Sequence, residues 1–462
     1  MSLLAHVFFL ITTSVLVNKN APEPYMDEIF HIPQAQHYCQ GDYAVWDPKL
    51  TTPPGLYLMS NLIALVGQVF QLDLCTINTL RFTNILFSIG LYVVLVQLVR
   101  SGHDWHARLY ALALAWFPVG FFYNAVYYTD TGSTFFVLLC YLAVKKRYYH
   151  AAGLVGIVSM SFRQTNVIWL CLCMMVAVID ILQDKKQQDH PLYNPLCSDI
   201  THPVHMLQSI SSLVVHLVHQ YRRVIYQTWT FLLGIVLFAV FLVWNSGIVL
   251  GDKSNHIAGL HFPQLFYFTS FLSFFSAPWT FSVASIKSLL TLKQCVYGIL
   301  TGMVSLYLIH NYTYEHPFLL SDNRHYSFYV WKNVYKRHAS ARYLLAPVYV
   351  ASGFLNVHVF GKEDGSLKFD LHSIAQYNSF LFVLGYMITL VLTLVPSPLL
   401  EFRYFILPFL FYMIHLPPPV QTYRTLIGLV LYASLHSAAM YLFIYKPFTW
   451  PNEPGQIQRF MW

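Results

Sequence analysis

Apolar runs close to twenty residues long, at 80–99, 228–250 and 425–445, recur along this chain with only short polar stretches between them. A run of that length crosses the ~30 Å hydrocarbon core of a bilayer as a single α-helix of about 20 residues. Inside lipid every backbone polar group must be met within the segment, which leaves helices as the reading of such runs. Charge is scarce to match: 10% of the residues are charged and 56% hydrophobic, where soluble domains carry roughly a quarter charged. The sequence predicts an all-α polytopic membrane protein, a single integral membrane domain over 1–462.

Residues 3–17 read as an uncleaved first helix, since no basic stretch precedes them and no clear small-residue cleavage site follows. Spans are then expected at 80–99, 108–125, 131–144, 151–162, 166–182, 228–250, 262–280, 294–310, 343–360, 376–396, 402–416 and 425–445, about thirteen with the first. Residues 55–71 are short and entered through Pro53-Pro54, and read as a juxtamembrane helix along the interface. On that count Lys145-Lys146-Arg147 faces the cytosol, as basic loops prefer. The segments YYTD (127–130), FRQT (162–165), GDKSNH (251–256), HPFLLSDNRHY (316–326) and PLLEFRY (398–404) face the lumen with the first loop.

Three polar regions follow from this division: a first luminal loop at 18–79, a cytosolic insert at 183–226 and a luminal loop at 311–342. Asn311-Tyr312-Thr313 is a sequon, usable only in the secretory lumen, and Asn311 is the glycosylation candidate. Within the insert, apolar residues from Val204 to Val218 recur at helical spacing, as in an interfacial helix. Its His202, His205, His216 and His219 have no acid or cysteine at ligand spacing and read as solvated rather than metal-binding. The net charge of +7 comes from scattered basic residues and does not indicate nucleic-acid binding. The seven cysteines show no metal spacing. Cys171 and Cys173 read as packing residues, while Cys39 and Cys75 share a compartment and can pair, though spacing alone establishes no disulfide.

The chemistry concentrates at YMDEIFHIPQAQHYCQGDYAVWDPKLTTPPGLY, residues 25–57. Acids beside a bilayer demand an explanation, and this loop points to a membrane-embedded glycosyltransferase using a lipid-phosphate sugar. Such a donor brings its own leaving group. The enzyme must deprotonate an acceptor hydroxyl, for which Asp27 and Glu28 are the candidate bases. It must also stabilise a departing phosphate, for which Arg324, His325 and Arg403 are the candidates. Asp27 and Glu28 also fit a plain helix cap with a first-turn carboxylate. His31, Trp46, Asp47, Lys49, Asp322, Tyr326 and Glu401 are candidate substrate contacts, as is Arg163, which neutralises luminal acids or touches acceptor sugar. Trp46 and Tyr43 suit stacking on sugar rings or packing in the aromatic belt. No metal site follows from these residues and no cofactor is expected. No Walker, Rossmann or zinc-protease motif is present.

The 25–57 stretch resembles the endoplasmic-reticulum α-1,2-glucosyltransferases that add the last glucose to the dolichol-linked oligosaccharide. FRQTN from Phe162, HFPQLFYF from His261, LSDNRHYSFYVWK from Leu320, LLEFRYFILP from Leu399 and the terminal QRFMW carry the same resemblance. It implies a GT-C glycosyltransferase of the endoplasmic-reticulum membrane with luminal juxtamembrane helices and a luminal active site. Dolichyl-phosphate-glucose would be the donor, the diglucosylated dolichyl-diphosphate-linked oligosaccharide the acceptor, and the β linkage of the donor would be inverted. The catalytic acid of the first luminal loop falls on Asp27, with Glu28 second. Asp130 stands where the family carries Glu, keeping the charge with a shorter reach. Two other readings compete: transfer of mannose from dolichyl-phosphate-mannose, and a non-catalytic transporter or regulator. A degenerate copy would have lost the Asp27–Glu28 pair or Arg324, and a transporter would place polar residues at mid-span; here the charges gather at span ends.

Overall fold

The computed structural model describes residues 1–99, 105–184, 191–253, 258–360, 378–416 and 421–462. The chain folds as two compact units, one formed by 1–104, 123–256 and 366–389, the other by 105–122, 257–365 and 390–462. In chain order the first unit contributes α1 (Ser2–Asn20), α2 (Glu28–Cys39), α3 (Gly55–Val69) and α4 (Ile77–Val99). The chain passes through α5 (Trp105–Ala115) and α6 (Pro118–Phe122) of the second unit, then returns for α7 (Thr129–Lys145), α8 (Tyr149–Met160), α9 (Asn166–Leu182) and α10 (Pro203–Asn245). The second unit continues with α11 (Pro263–Thr280), α12 (Val283–Leu289), α13 (Leu292–Tyr312), α14 (Pro317–Ser321), α15 (Tyr326–Val330), α16 (Ala341–Leu344) and α17 (Ala346–Phe360). After α18 (Phe380–Leu394) come α19 (Ile406–Ile414), α20 (Thr422–Tyr445) and a short antiparallel hairpin of β1 (Phe448–Trp450) and β2 (Glu453–Gln458).

Six stretches among the described residues are long and apolar enough to cross a membrane: Ser2–Asn20, Ile77–Val99, Pro203–Asn245, Leu292–Tyr312, Ala341–Phe360 and Thr422–Tyr445. Shorter apolar helices accompany them, among them Gly55–Val69, Tyr149–Met160 and Asn166–Leu182. This is a multi-pass helical membrane protein. The polar runs 185–190 and 254–256 and the start of the 376–396 span lie outside the described residues.

Two expected elements differ in form. The span at 108–125 is not one helix: α5 stops at Ala115, α6 begins at Pro118, and a 3₁₀ turn follows over Tyr123–Ala125. Pro118 has no N–H to continue the ladder of α5, and its ring crowds the carbonyl one turn back. Conversely, the polar insert does not end at 226. Its amphipathic half and the next span follow one another without an intervening loop as α10, two helical segments over 43 residues that meet at a kink where Gln220 leaves helical dihedrals, just before Tyr221-Arg222-Arg223. The segment beyond the kink, 221–245, is about 37 Å long at 1.5 Å per residue, enough to cross the ~30 Å hydrocarbon core.

The first unit is held by apolar packing beneath the 18–79 loop. Ile32, Tyr38, Leu50, Tyr57, Tyr127 and Phe162 form one buried cluster against α4 and α7, so the loop that carries the acids rests on a dry floor. In the second unit α11 packs on α17 through the stacked rings of Phe266 and Tyr349, 5.7 Å apart, and on α20 through Phe275 edge-on to Tyr432 at 6.1 Å.

Candidate active site

The chain leaves α1 and turns sharply at Met26, whose φ of 56° lies in the left-handed region. It then enters α2 with Asp27 at the cap position and Glu28 as the first helical residue. These neighbouring acids have different fates. Asp27 is half-buried, its side chain makes no capping bond, and its amide donates to the Tyr128 hydroxyl at 3.1 Å. Glu28 is fully buried. Its Oε1 accepts from Arg81 Nε at 2.8 Å and the Tyr127 amide at 2.6 Å. Its Oε2 accepts from Arg81 Nη2 at 2.6 Å and the Tyr25 amide at 3.1 Å. Four donors fill the acceptor positions of the carboxylate. Glu28 is thus built into the structure and has no position left for a substrate hydroxyl, against the expectation that both acids are candidate bases.

Arg81, one turn into α4, is equally saturated. Beyond Glu28, its Nη1 donates to Asn18 Oδ1 and the Ala21 carbonyl, both at 2.9 Å, and its Nη2 to the Glu23 carbonyl at 3.1 Å. All five guanidinium protons are used. Removing one partner of so buried a pair strands the other charge, at about 3–5 kcal/mol.

Around Asp27 the loop is walled by aromatic and polar groups. His31, one turn along α2, meets the Tyr57 hydroxyl at 2.6 Å and sets its ring 5.9 Å from Tyr128. Asp27 and Asp47 both lie near enough for their charges to act on the Tyr57 hydroxyl. Trp46 packs on Tyr57 at 6.1 Å, and its buried indole N–H has no acceptor among the described residues. Asp47 receives the Lys49 amide in a tight turn and donates its own amide to Gln34. The exposed Lys49 ammonium sits 5.0 Å over the Phe30 ring. Tyr43 accepts from Asn61 and packs edge-on against Tyr38.

Three of the expected luminal segments converge on this loop. Asp130 opens α7, and Arg163 of the FRQT turn reaches its Oδ1 at 3.4 Å. The other oxygen, Oδ2, is buried with no hydrogen-bond partner among the described residues. A buried acceptor left unmet calls for a partner, and a sugar hydroxyl would satisfy it. Gln164 donates to the carbonyls of Thr51 and Ile248 at 2.8 and 2.9 Å. From the GDK turn, the Asp252 amide donates to the Pro48 carbonyl at 2.8 Å. Gly251, at φ +63°, passes so close that a Cβ would stand 2.1 Å from the same oxygen. A disulfide joins Cys39 at the end of α2 to Cys75 before α4.

The remaining segments meet in the second unit. Asp322 takes a fork from Arg324 at 2.8 and 2.7 Å, together with the Arg324 amide. Burial raises the Asp322 carboxyl, but the Arg324 hydrogen bonds and the nearby His325 outweigh it and hold it below the usual carboxylate range. Arg324 also donates to Gln458 and lies 4.6 Å over the Trp450 ring. His325 donates to the main-chain oxygen of Trp462 at 3.1 Å. Trp462 touches both Tyr326, at 5.0 Å, and Phe402, at 6.1 Å, so DNRHY and EFRY meet over the terminal QRFMW. Arg403 is bonded to Glu401. From the HFPQ segment, Gln264 donates to the carbonyls of Ser397 and Leu399, bracing the EFRY loop. Asn311 is exposed at the last turn of α13.

Arg81 escaped the reading of the sequence, although a lone arginine inside the apolar run 80–99 is itself a signal that a counter-charge waits nearby. The hairpin that receives Arg324 had no such signal, being short and rich in turn residues.

The DIE2/ALG10 family matches residues 21–414. A Mus musculus protein named Dol-P-Glc:Glc(2)Man(9)GlcNAc(2)-PP-Dol alpha-1,2-glucosyltransferase is 39% identical across 95% of this chain and 93% of its own length. A Homo sapiens protein of the same name is also 39% identical, over 95% and 93%. One from Arabidopsis thaliana is 32% identical over 98% of each. No solved structure matches.

Proposed function

The chain belongs to the DIE2/ALG10 family, and on that premise we propose that it transfers glucose from dolichyl-phosphate-glucose to the diglucosylated dolichyl-diphosphate oligosaccharide in α-1,2 linkage. The printed names of the relatives specify glucose and this acceptor, which favours this reading over a mannose donor or a non-catalytic role. Within the site, the observation that carries it is the division of labour between two adjacent acids. Glu28 is sealed into an ion pair, and half-buried Asp27 stands beside it at the start of α2.

Asp27 is the general base. It takes the proton of the acceptor 2-hydroxyl as that oxygen attacks the anomeric carbon of the donor glucose; the glucosyl–phosphate bond breaks and dolichyl phosphate leaves. Attack from the face opposite the leaving group inverts the β linkage to α. Asp130 with Arg163, Trp46 and His31 contact sugar. No metal is assigned to the reaction.

The site is luminal, in the endoplasmic-reticulum membrane. The Cys39–Cys75 disulfide supports this, because disulfides persist in oxidising compartments. It also supports α3 beginning and ending on one side of the bilayer, since both cysteines must share an aqueous space and α3 is the one helix between them.

The test is transfer of radiolabelled glucose from dolichyl-phosphate-glucose to purified diglucosylated acceptor, in microsomes lacking their own enzyme. A triglucosylated product from wild type that vanishes with Asp27→Asn supports the reading. No product from folded, correctly located wild type rejects it.

A further inference from the structure

We infer that Arg81 is a positioning residue for this transfer: acting through Glu28, it fixes the direction from which Asp27 meets the acceptor hydroxyl. The inference rests on the proposed reaction and on Asp27 as its base. It starts from closure. Arg81 spends all five donors and Glu28 all four acceptor positions on fixed partners, with the two side chains 1% and 0% exposed. A fully satisfied buried network rigidifies its surroundings, and neither member has capacity left for substrate.

What the pair holds is the entry to α2. Successive residues of a helix project about 100° apart, so anchoring both oxygens of Glu28 inward sets where the Asp27 side chain emerges. The approach is fixed as well. Arg81 grips the carbonyls of Ala21 and Glu23, and Glu28 Oε2 grips the Tyr25 amide. Met26, caught between these grips, is bent to φ 56°. A non-glycine residue keeps a left-handed backbone only where its surroundings over-determine it, and here they do, from both sides. The same carboxylate holds the Tyr127 amide, so the segment leading to Asp130 is referenced to the same point. A general base must sit within about 2.6–3.2 Å of its proton, and a 1 Å misplacement can cost about a hundredfold in rate.

The test uses the full-length chain purified in lipid nanodiscs. Arg81→Lys, Met26→Ile and Met26→Gly are compared with wild type for kcat, for KM of donor and acceptor, and for amide exchange across 20–30 and 125–131. Lysine cannot reproduce the fork. Isoleucine resists a left-handed backbone, whereas glycine adopts it freely. Arg81→Lys should lower kcat by about tenfold or more, with both KM values within about twofold, and should lose protection at the Tyr25 and Tyr127 amides. Met26→Ile should lower kcat similarly with Glu28 and Arg81 intact, and Met26→Gly should restore it. Wild-type kcat in a folded Met26→Ile, or lost protection with unchanged kcat in Arg81→Lys, overturns the inference. So does a kcat loss that only tracks the unfolded fraction. A well-protected wild type that transfers no glucose overturns the reaction itself, a distinct result.

Discussion

The amide of Tyr127 and the carboxylate of Glu28 meet at 2.6 Å across 99 residues of sequence. That bond makes Glu28 the point to which both acid-bearing segments, 25–28 and 127–130, are tied. The two neighbouring acids should therefore fail differently. Asp27→Asn should leave a folded protein with transfer reduced by about 10²–10⁴, the usual worth of a general base. Glu28→Gln should lower yield and thermal midpoint, because it removes the charge facing Arg81. Parallel measurement of melting temperature and initial rate separates the two.

Gly251 reports on how closely the loops are packed. In Gly251→Ala the left-handed backbone costs about 1–2 kcal/mol, and the new methyl meets the Pro48 carbonyl. The expected result is faster protease cleavage within 46–54 and reduced transfer, both seen against unchanged membrane insertion.

The second unit has a pH signature at His261. It is 1% exposed, and neither ring nitrogen meets hydrogen-bond geometry with any described residue. Desolvation, outweighing the carbonyls of Pro398 and Ser397, lowers its pKa to about 4 from an ordinary 6.5. The folded state therefore holds this ring neutral where the unfolded chain would protonate it. Stability is full above pH 6.5 and declines as pH falls toward 4. In His261→Gln the slope of melting temperature against pH across that window should flatten; an unchanged slope rejects the assignment.

The Cys39–Cys75 bridge closes 36 residues around α3. By the loop-entropy account it is worth about 4 kcal/mol. Cys75→Ser should lower the melting temperature and abolish the mobility difference between reduced and non-reduced samples, while leaving Asp27 in place with weakened activity.

Asn311 tests the side of the membrane. A glycosidase-sensitive mobility shift that disappears in Asn311→Gln is the expected outcome. A glycosylated tag inserted at 183–202 would reverse the topology.

What could be read from sequence followed from periodicity and charge. Runs such as 80–99 and 425–445 became α4 and α20 because apolar length alone decides a span. YYTD, FRQT and GDK, grouped with the first loop by span counting, lie against it in the first unit. What escaped depended on partners distant in sequence. Nothing local says that Glu28 rather than Asp27 turns inward; that is decided by Arg81, 53 residues on. Likewise nothing local says that Gln458, 134 residues on, and the Trp450 ring stand against Arg324. The break at 116–118 was missed in reading 108–125 as one span, although Pro118 signals it, and the direct passage from insert to span through the kink at Gln220 was hidden by the charged Arg222-Arg223 beside it.

The fully engaged guanidinium of Arg81 also bears on the order in which the chain is made. An arginine in a nascent span is costly to release into lipid alone, and α4 emerges from the ribosome after α1, the 21–25 strand and α2. By then Asn18, the Ala21 and Glu23 carbonyls and Glu28 have already been synthesised, so the counter-charge is waiting when α4 arrives. The direction of synthesis thus matches the direction of electrostatic need, and a circular permutant opened between α2 and α4 would insert α4 before its acid exists.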